Sequence, residues 1–195
     1  MIIFLLVLCL GYADSYKVDV DSSTIQYIGR KVTGEHDGNL KILYGNVRRY
    51  LDTEQKEVIK GNIVIDMTTI TNNDIGNKEY QKYFVDHLNS PDFFDVAHFS
   101  KSQLKILDNI ILSNDSSDNM MITGEMTIKG ITQKVKFPVK VDFLDDSATA
   151  VGTIDIDRTL FDIRYKSKSF FPEMGDYFIY DDFTLNFTIK AKKNN

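Results

Sequence analysis

From Val135 to Phe143 the chain alternates strictly: Val135, Phe137, Val139, Val141 and Phe143 are apolar, and Lys136, Pro138, Lys140 and Asp142 between them are not. Side chains on a strand point to opposite faces with a period of two, so this run predicts a strand with one buried and one wet face. A helix would need apolar residues three and four apart, which the run does not supply. The pattern recurs. Phe183, Leu185, Phe187 and Ile189 alternate with Thr184, Asn186, Thr188 and Lys190. Met120, Ile122, Met126 and Ile128 share another face, interrupted by Gly124, and Ile63, Ile65 and Met67 share a third after Gly61. Less regular strands are predicted near 16–20, 24–33, 39–51, 97–107 and 149–156.

Lys129-Gly130 lies between two alternating runs, so residues 119–144 read as a hairpin that turns near Gly130. Asn114 to Asn119 (NDSSDN) is a loop of turn formers. Pro138 cannot donate to a ladder and predicts an edge or an irregular pairing. One segment breaks the period. Asn77 to Leu88 places Tyr80, Phe84, Val85 and Leu88 at helical spacing, and Asn89-Ser90-Pro91 supplies a stop. Many strands with one short helix make an all-β sandwich or barrel. The distinction bears on function, because a sandwich fills its core with side chains whereas a closed eight-stranded barrel can hold one small ligand.

A chain of 195 residues fits one domain. Without a leader it would bury roughly 70% of its unfolded surface, enough to fold without disulfides or a structural metal. Cys9 is the only cysteine and lies in an apolar run, Ile2 to Leu10, that Gly11-Tyr12-Ala13 follows. We read residues 1–13 as a cleaved signal peptide and 14–195 as the mature domain, periplasmic or secreted. The run would rise only about 15 Å as a helix, half a hydrocarbon core, so the mature chain is expected to have no transmembrane span. A net charge of −5 disfavours nucleic acid and electrostatic membrane binding.

The histidines, His36, His87 and His98, are far apart and fit no ligand spacing, so each is expected to be a hydrogen bonder and not a metal ligand. No G-x-S-x-G elbow, Walker loop or G-x-G-x-x-G is present. The pairs Asp19/Asp21 and Asp155/Asp157 share strand faces, but calcium wants more oxygen ligands than one pair gives. Asn114-Asp115-Ser116 and Asn186-Phe187-Thr188 match glycosylation sequons, which act only in a eukaryotic secretory route. Aromatic residues make up 12% of the chain and cluster at Phe93-Phe94, Phe99, Phe161, Tyr165, Phe170-Phe171, Tyr177-Phe178, Tyr180 and Phe183. As a set they exceed what a small closed core needs, which leaves room for a lined cavity.

Several ordered strings carry a family resemblance: Lys31 to Gly38 (KVTGEHDG), Asp66 to Ile70 (DMTTI), His87 to Val96 (HLNSPDFFDV), Gly124 to Thr132 (GEMTIKGIT), and Asp157-Arg158-Thr159 through Asp182-Phe183. From about Tyr16 to Ile189 the chain resembles the YceI-like proteins, which are lipocalin-like, polyisoprenoid-binding exported proteins. The resemblance implies an eight-stranded antiparallel lipocalin-like barrel with one inserted short helix, and a pocket for the isoprenoid tail of a quinone or polyprenyl lipid. It implies a carrier, often a homodimer, with no catalysis and no cofactor beyond a bound polyisoprenoid or isoprenoid quinone. Gly34 and Gly38 would flank His36 at a barrel corner, and the Leu88–Phe94 segment would return the chain to the barrel, with Phe93 and Phe94 at its mouth. The sequence departs from the family at Asp162, Lys166 and Lys168, where relatives are glycine-rich, and at Tyr27, where an aromatic, often Trp, stands.

Strand parity and the resemblance together nominate a ligand-binding face of Ile63, Ile65, Phe93, Phe94, Val135, Phe137, Val139, Val141, Phe143, Phe161, Ile163 and Phe178. Two rival readings are a metal-dependent or acid–base enzyme using His36 and His98, and a protein–protein interaction module whose aromatics meet a partner.

Overall fold

The computed structural model describes residues 13–112 and 117–194. The described chain forms strands β1 (Ala13–Val18), β2 (Thr24–Lys31), β3 (Gly34–Leu51), β4 (Glu57–Asp66), β5 (Lys101–Ile111), β6 (Met120–Ile128), β7 (Ile131–Phe143), β8 (Ser147–Asp157) and β9 (Ile179–Lys193), with one helix, α1 (Lys78–Asn89). From β2 onward each strand pairs antiparallel with the next, and β9 pairs back onto β2. β1 lies end to end with β2, pairing with the far half of β3 and the end of β9, so the two share one stave. The result is a closed eight-stave antiparallel barrel with one inserted helix, as the resemblance implied.

Turn chemistry explains the connections. Lys129 (φ 49°) and Gly130 (φ 75°) both occupy the left-handed region, as a two-residue hairpin requires. Between β1 and β2 the chain turns at Asp19, whose carboxylate accepts from Ser22 N–H at 3.3 Å, so the strand predicted at 16–20 stops at Val18. β5 begins at Lys101 rather than 97, because Asp95 (φ 48°) folds the preceding residues into turns closed by His98 N–H to the Asp95 carbonyl (3.0 Å). Pro138 falls where pairing is incomplete: β7 pairs with β6 from Ile131 to Val139, but its ladder with β8 begins only at Val139↔Gly152. Gly38 makes no corner. A Cβ there would lie 1.9 Å from the Thr71 carbonyl oxygen, so the position is glycine for close approach.

The long connections, β4–β5 with α1 and β8–β9 with residues 158–178, lie at one end, together with the β2–β3 and β6–β7 hairpins. This is the capped end. Asn77 caps α1, its Oδ1 accepting from the N–H groups of Glu79 (3.0 Å) and Tyr80 (3.1 Å). Residues 1–12 of the leader reading and the sequon at Asn114–Ser116 lie outside the described residues; Ala13 opens β1.

Candidate ligand-binding site

The inward faces of the staves do not meet. They enclose two chambers, of about 120 Å³ toward the capped end and about 110 Å³ toward the other. Ile65, Leu104, Met126 and Leu185 line both, so the chambers abut end to end at a waist of four apolar side chains. Small inward residues make the room. Ala148 and Ala150 face the lower chamber from β8. At Gly29, on the upper wall, an added Cβ would meet no atom within 4 Å.

The lower chamber is walled by aliphatic and aromatic residues, of which Tyr16 carries a hydroxyl, together with Thr149. Tyr16 is 1% exposed and its ring lies 5.6 Å from that of Phe143. The Arg49 guanidinium covers the Phe143 ring at 4.3 Å and donates from Nε to Glu57 at 2.9 Å, so a cation–π contact and an ion pair close the floor.

The upper chamber adds polar residues to an apolar wall: Arg30, Lys31, His36, Ser102, Gln103, Arg158 and Asp182 stand among Tyr27, Leu88, Phe93, Phe94, Ile163 and Phe183. Tyr27 donates its hydroxyl to the Thr71 carbonyl at 2.7 Å. Burial, reinforced by the nearby Asp74 charge, pushes this phenol well above its usual range. His36 Nδ1 lies 2.7 Å from Asp74, and its ring packs against Phe84 of α1 at 4.8 Å between centroids. Burial alone would raise the Asp74 carboxyl; hydrogen bonds from His36, Asn72 and the Asp37 N–H outweigh it and hold the group below its usual range.

Arg158 fastens the cap. Only 3% exposed, its guanidinium donates to the carbonyls of Ile163 (2.8 Å), Ile179 (3.0 Å) and Tyr180 (3.1 Å) and reaches Asp181 at 3.4 Å. Burial lowers its proton affinity, opposed by the charges of Asp181 and Asp157. These bonds tie both ends of the 162–178 segment together, and Asp157 starts that segment by accepting from the Thr159 N–H at 2.8 Å. At two departures from the glycine-rich pattern, Asp162 (φ 58°) and Lys166 (φ 48°), the backbone is left-handed without glycine; Lys168 has no such conformation.

Nine of the twelve nominated residues line a chamber: Phe93, Phe94 and Ile163 the upper, Ile63, Phe137, Val139, Val141 and Phe143 the lower, and Ile65 both. Three do not. Val135 packs against the core cluster beside the upper half of β7, which lacks a β8 partner. Phe161, 1% exposed, is core filler in the turn after β8, which Gln133 Nε2 ties to β7 through the Leu160 carbonyl at 2.9 Å. Phe178 packs edge-on to Tyr180, itself on the upper chamber's wall, at 5.1 Å under the Lys168 ammonium and lines neither chamber. The nominations omitted Leu104, Met126 and Leu185; the last two carry the alternation signal, whereas Leu104 lies on a strand whose predicted start was misplaced. His36 and His98 have different carboxylate partners, Asp74 and Asp95, and no group of three or more His, Cys, Asp or Glu side chains able to hold a metal occurs among the described residues. His87 instead packs against Phe93 (5.1 Å) and Tyr165 (4.4 Å).

Several solved structures share this architecture. BcnA of Burkholderia cenocepacia is 20% identical, with a TM-score of 0.67 over 89% of this chain and 99% of its own. A polyisoprenoid-binding domain of Saccharophagus degradans, implicated in plant cell wall breakdown, is 10% identical, with a TM-score of 0.62 over 92% and 98%. The YCEI protein of Campylobacter jejuni is 15% identical, with a TM-score of 0.52 over 70% and 73%. Among curated proteins none matches this chain in sequence. The sequence model of the YceI-like domain matches residues 16–191, and the chain belongs to that family.

Proposed function

We propose that this protein binds and sequesters or carries a long-chain apolar ligand, a polyisoprenoid, isoprenoid quinone or related lipid, inside the barrel. It would do so in the cell envelope, as a periplasmic or secreted protein, by binding and not by catalysis. The observation that carries this reading is the pair of mainly apolar chambers that abut at one waist inside the barrel. A long, narrow, apolar enclosure suits a linear chain, because each methylene withdrawn from water contributes about 0.8 kcal/mol. The polyisoprenoid-binding name of the Saccharophagus relative supports the same ligand class. The test is organic extraction of protein purified from its native host, followed by mass spectrometry. A neutral or weakly polar long-chain lipid near one per barrel is expected; repeated extraction of no lipid would overturn the proposal.

A further inference from the structure

Ser102 faces inward from β5, is 5% exposed, and lines the upper chamber, yet its Oγ has no hydrogen-bond partner in the protein. Its surroundings are apolar. Ile65 stands opposite on β4, and Met126 and Ile128 flank it on β6, where Gln103 pairs with Thr127. Leu104 of the waist lies two residues along β5, about 7 Å away at the usual rise of a strand. A buried hydroxyl left unpaired costs free energy that a plain hydrocarbon guest would not recover.

Of the chamber's other polar residues, Gln103 adjoins Ser102 on β5, and Arg30, Lys31, His36, Arg158 and Asp182 stand on other segments. Arg158 gives its N–H groups to backbone carbonyls, Arg30 donates to Thr184 at 2.8 Å, and His36 is held by Asp74. A phosphate beside Ser102 would bury charge against Ile65, Met126 and Ile128 with a single hydroxyl to meet it, which is unfavourable.

We propose that Ser102 marks a subsite for one neutral oxygen of the ligand, a hydroxyl or a carbonyl, to which its Oγ–H donates. The inference rests on the isoprenoid reading above and adds to it a head chemistry and a direction. The chain enters tail first, fills the lower chamber, and stops with its oxygen about one strand repeat above the waist.

The test compares wild type with Ser102→Ala by calorimetric titration of three probes: geranylgeraniol, the hydrocarbon of the same carbon skeleton, and geranylgeranyl phosphate. Wild type is expected to bind the alcohol most tightly. Ser102→Ala should weaken the alcohol about fivefold and leave the hydrocarbon within about twofold, as loss of one hydrogen bond implies. Ser102→Thr, which keeps the hydroxyl, should restore alcohol binding, and hydrocarbon binding reports that each variant is folded. Equal effects of Ser102→Ala on alcohol and hydrocarbon, or tightest binding of the phosphate, would overturn the subsite while leaving the carrier reading intact. Wild-type protein that binds none of the three would overturn both.

Discussion

The two chambers have nearly the same volume but different walls. The lower one presents apolar surface with only Tyr16 and Thr149 as exceptions, and its floor is closed by Tyr16, Phe143 and Arg49. The upper one carries Arg30, Lys31, His36, Ser102, Gln103, Arg158 and Asp182 on a mainly apolar wall, beneath a cap of α1 and the 162–178 segment. Apolar burial is non-directional, so the lower chamber supplies affinity to any chain that fits. Hydrogen-bonding groups discriminate between guests, because an unmatched polar group is left unpaired. Affinity and selection are therefore separated along one axis, and the two halves can be perturbed independently.

The largest effect belongs to the cap. Arg158→Ala removes a buried cation whose loss leaves three carbonyls without a donor, and urea unfolding should show about 3–5 kcal/mol of lost stability. A loss below about 1 kcal/mol would mean that the cap does not depend on this clamp. Filling either chamber comes next. Gly29→Phe in the upper chamber and Ala150→Phe in the lower should each exclude several methylenes and weaken a long-chain ligand about a hundredfold. A short-chain alcohol separates them, since Ala150→Phe should leave its binding nearly unchanged and Gly29→Phe should abolish it. If both variants treat the short ligand alike, the division into two chambers fails.

A smaller effect tests the wall of one strand. Val141 lines the lower chamber and Val135 lines neither, so Val141→Ala should weaken a long-chain ligand about threefold, whereas Val135→Ala should lower the melting temperature with affinity intact. The smallest effect concerns acid. Asp74 is held below its usual range, so it contributes stability above the unfolded carboxyl value near about 4, which is lost as pH falls through the lower folded value. Asp74→Asn should flatten the acid limb of a stability–pH curve below about pH 4, and an unchanged limb would remove this assignment.

The contrast between Val135 and Val141 also shows how far the sequence could be read. Period-two alternation identified the buried face of β6, β7 and β9, and Met126, Phe137, Val139 and Leu185 all point inward as it required. Parity says that a side chain faces the interior but not whether a hollow or another side chain awaits it, so Val135 and Val141 look identical. β8 was harder to read because its inward residues Ala148, Ala150 and Gly152 are small, and the two alanines are also what leaves the lower chamber space. Phe161 and Phe178 were nominated as aromatics near a matched motif; the turn after β8 sends Phe161 into the core, and Phe178, half-buried just before β9, packs on Tyr180 instead of lining a chamber. Gly29 and Ser102 left no periodic trace at all, since an empty wall and an unpaired hydroxyl are properties of the closed barrel.

The central claim is that the chambers act as one channel for one chain. A crystal structure of the protein loaded with a long-chain isoprenoid alcohol tests it most directly. Continuous elongated density should pass between Ile65, Leu104, Met126 and Leu185, its tail against Tyr16 and Phe143 and its oxygen within hydrogen-bond distance of Ser102 Oγ. Density confined to one chamber, or lying outside the barrel, would contradict the account.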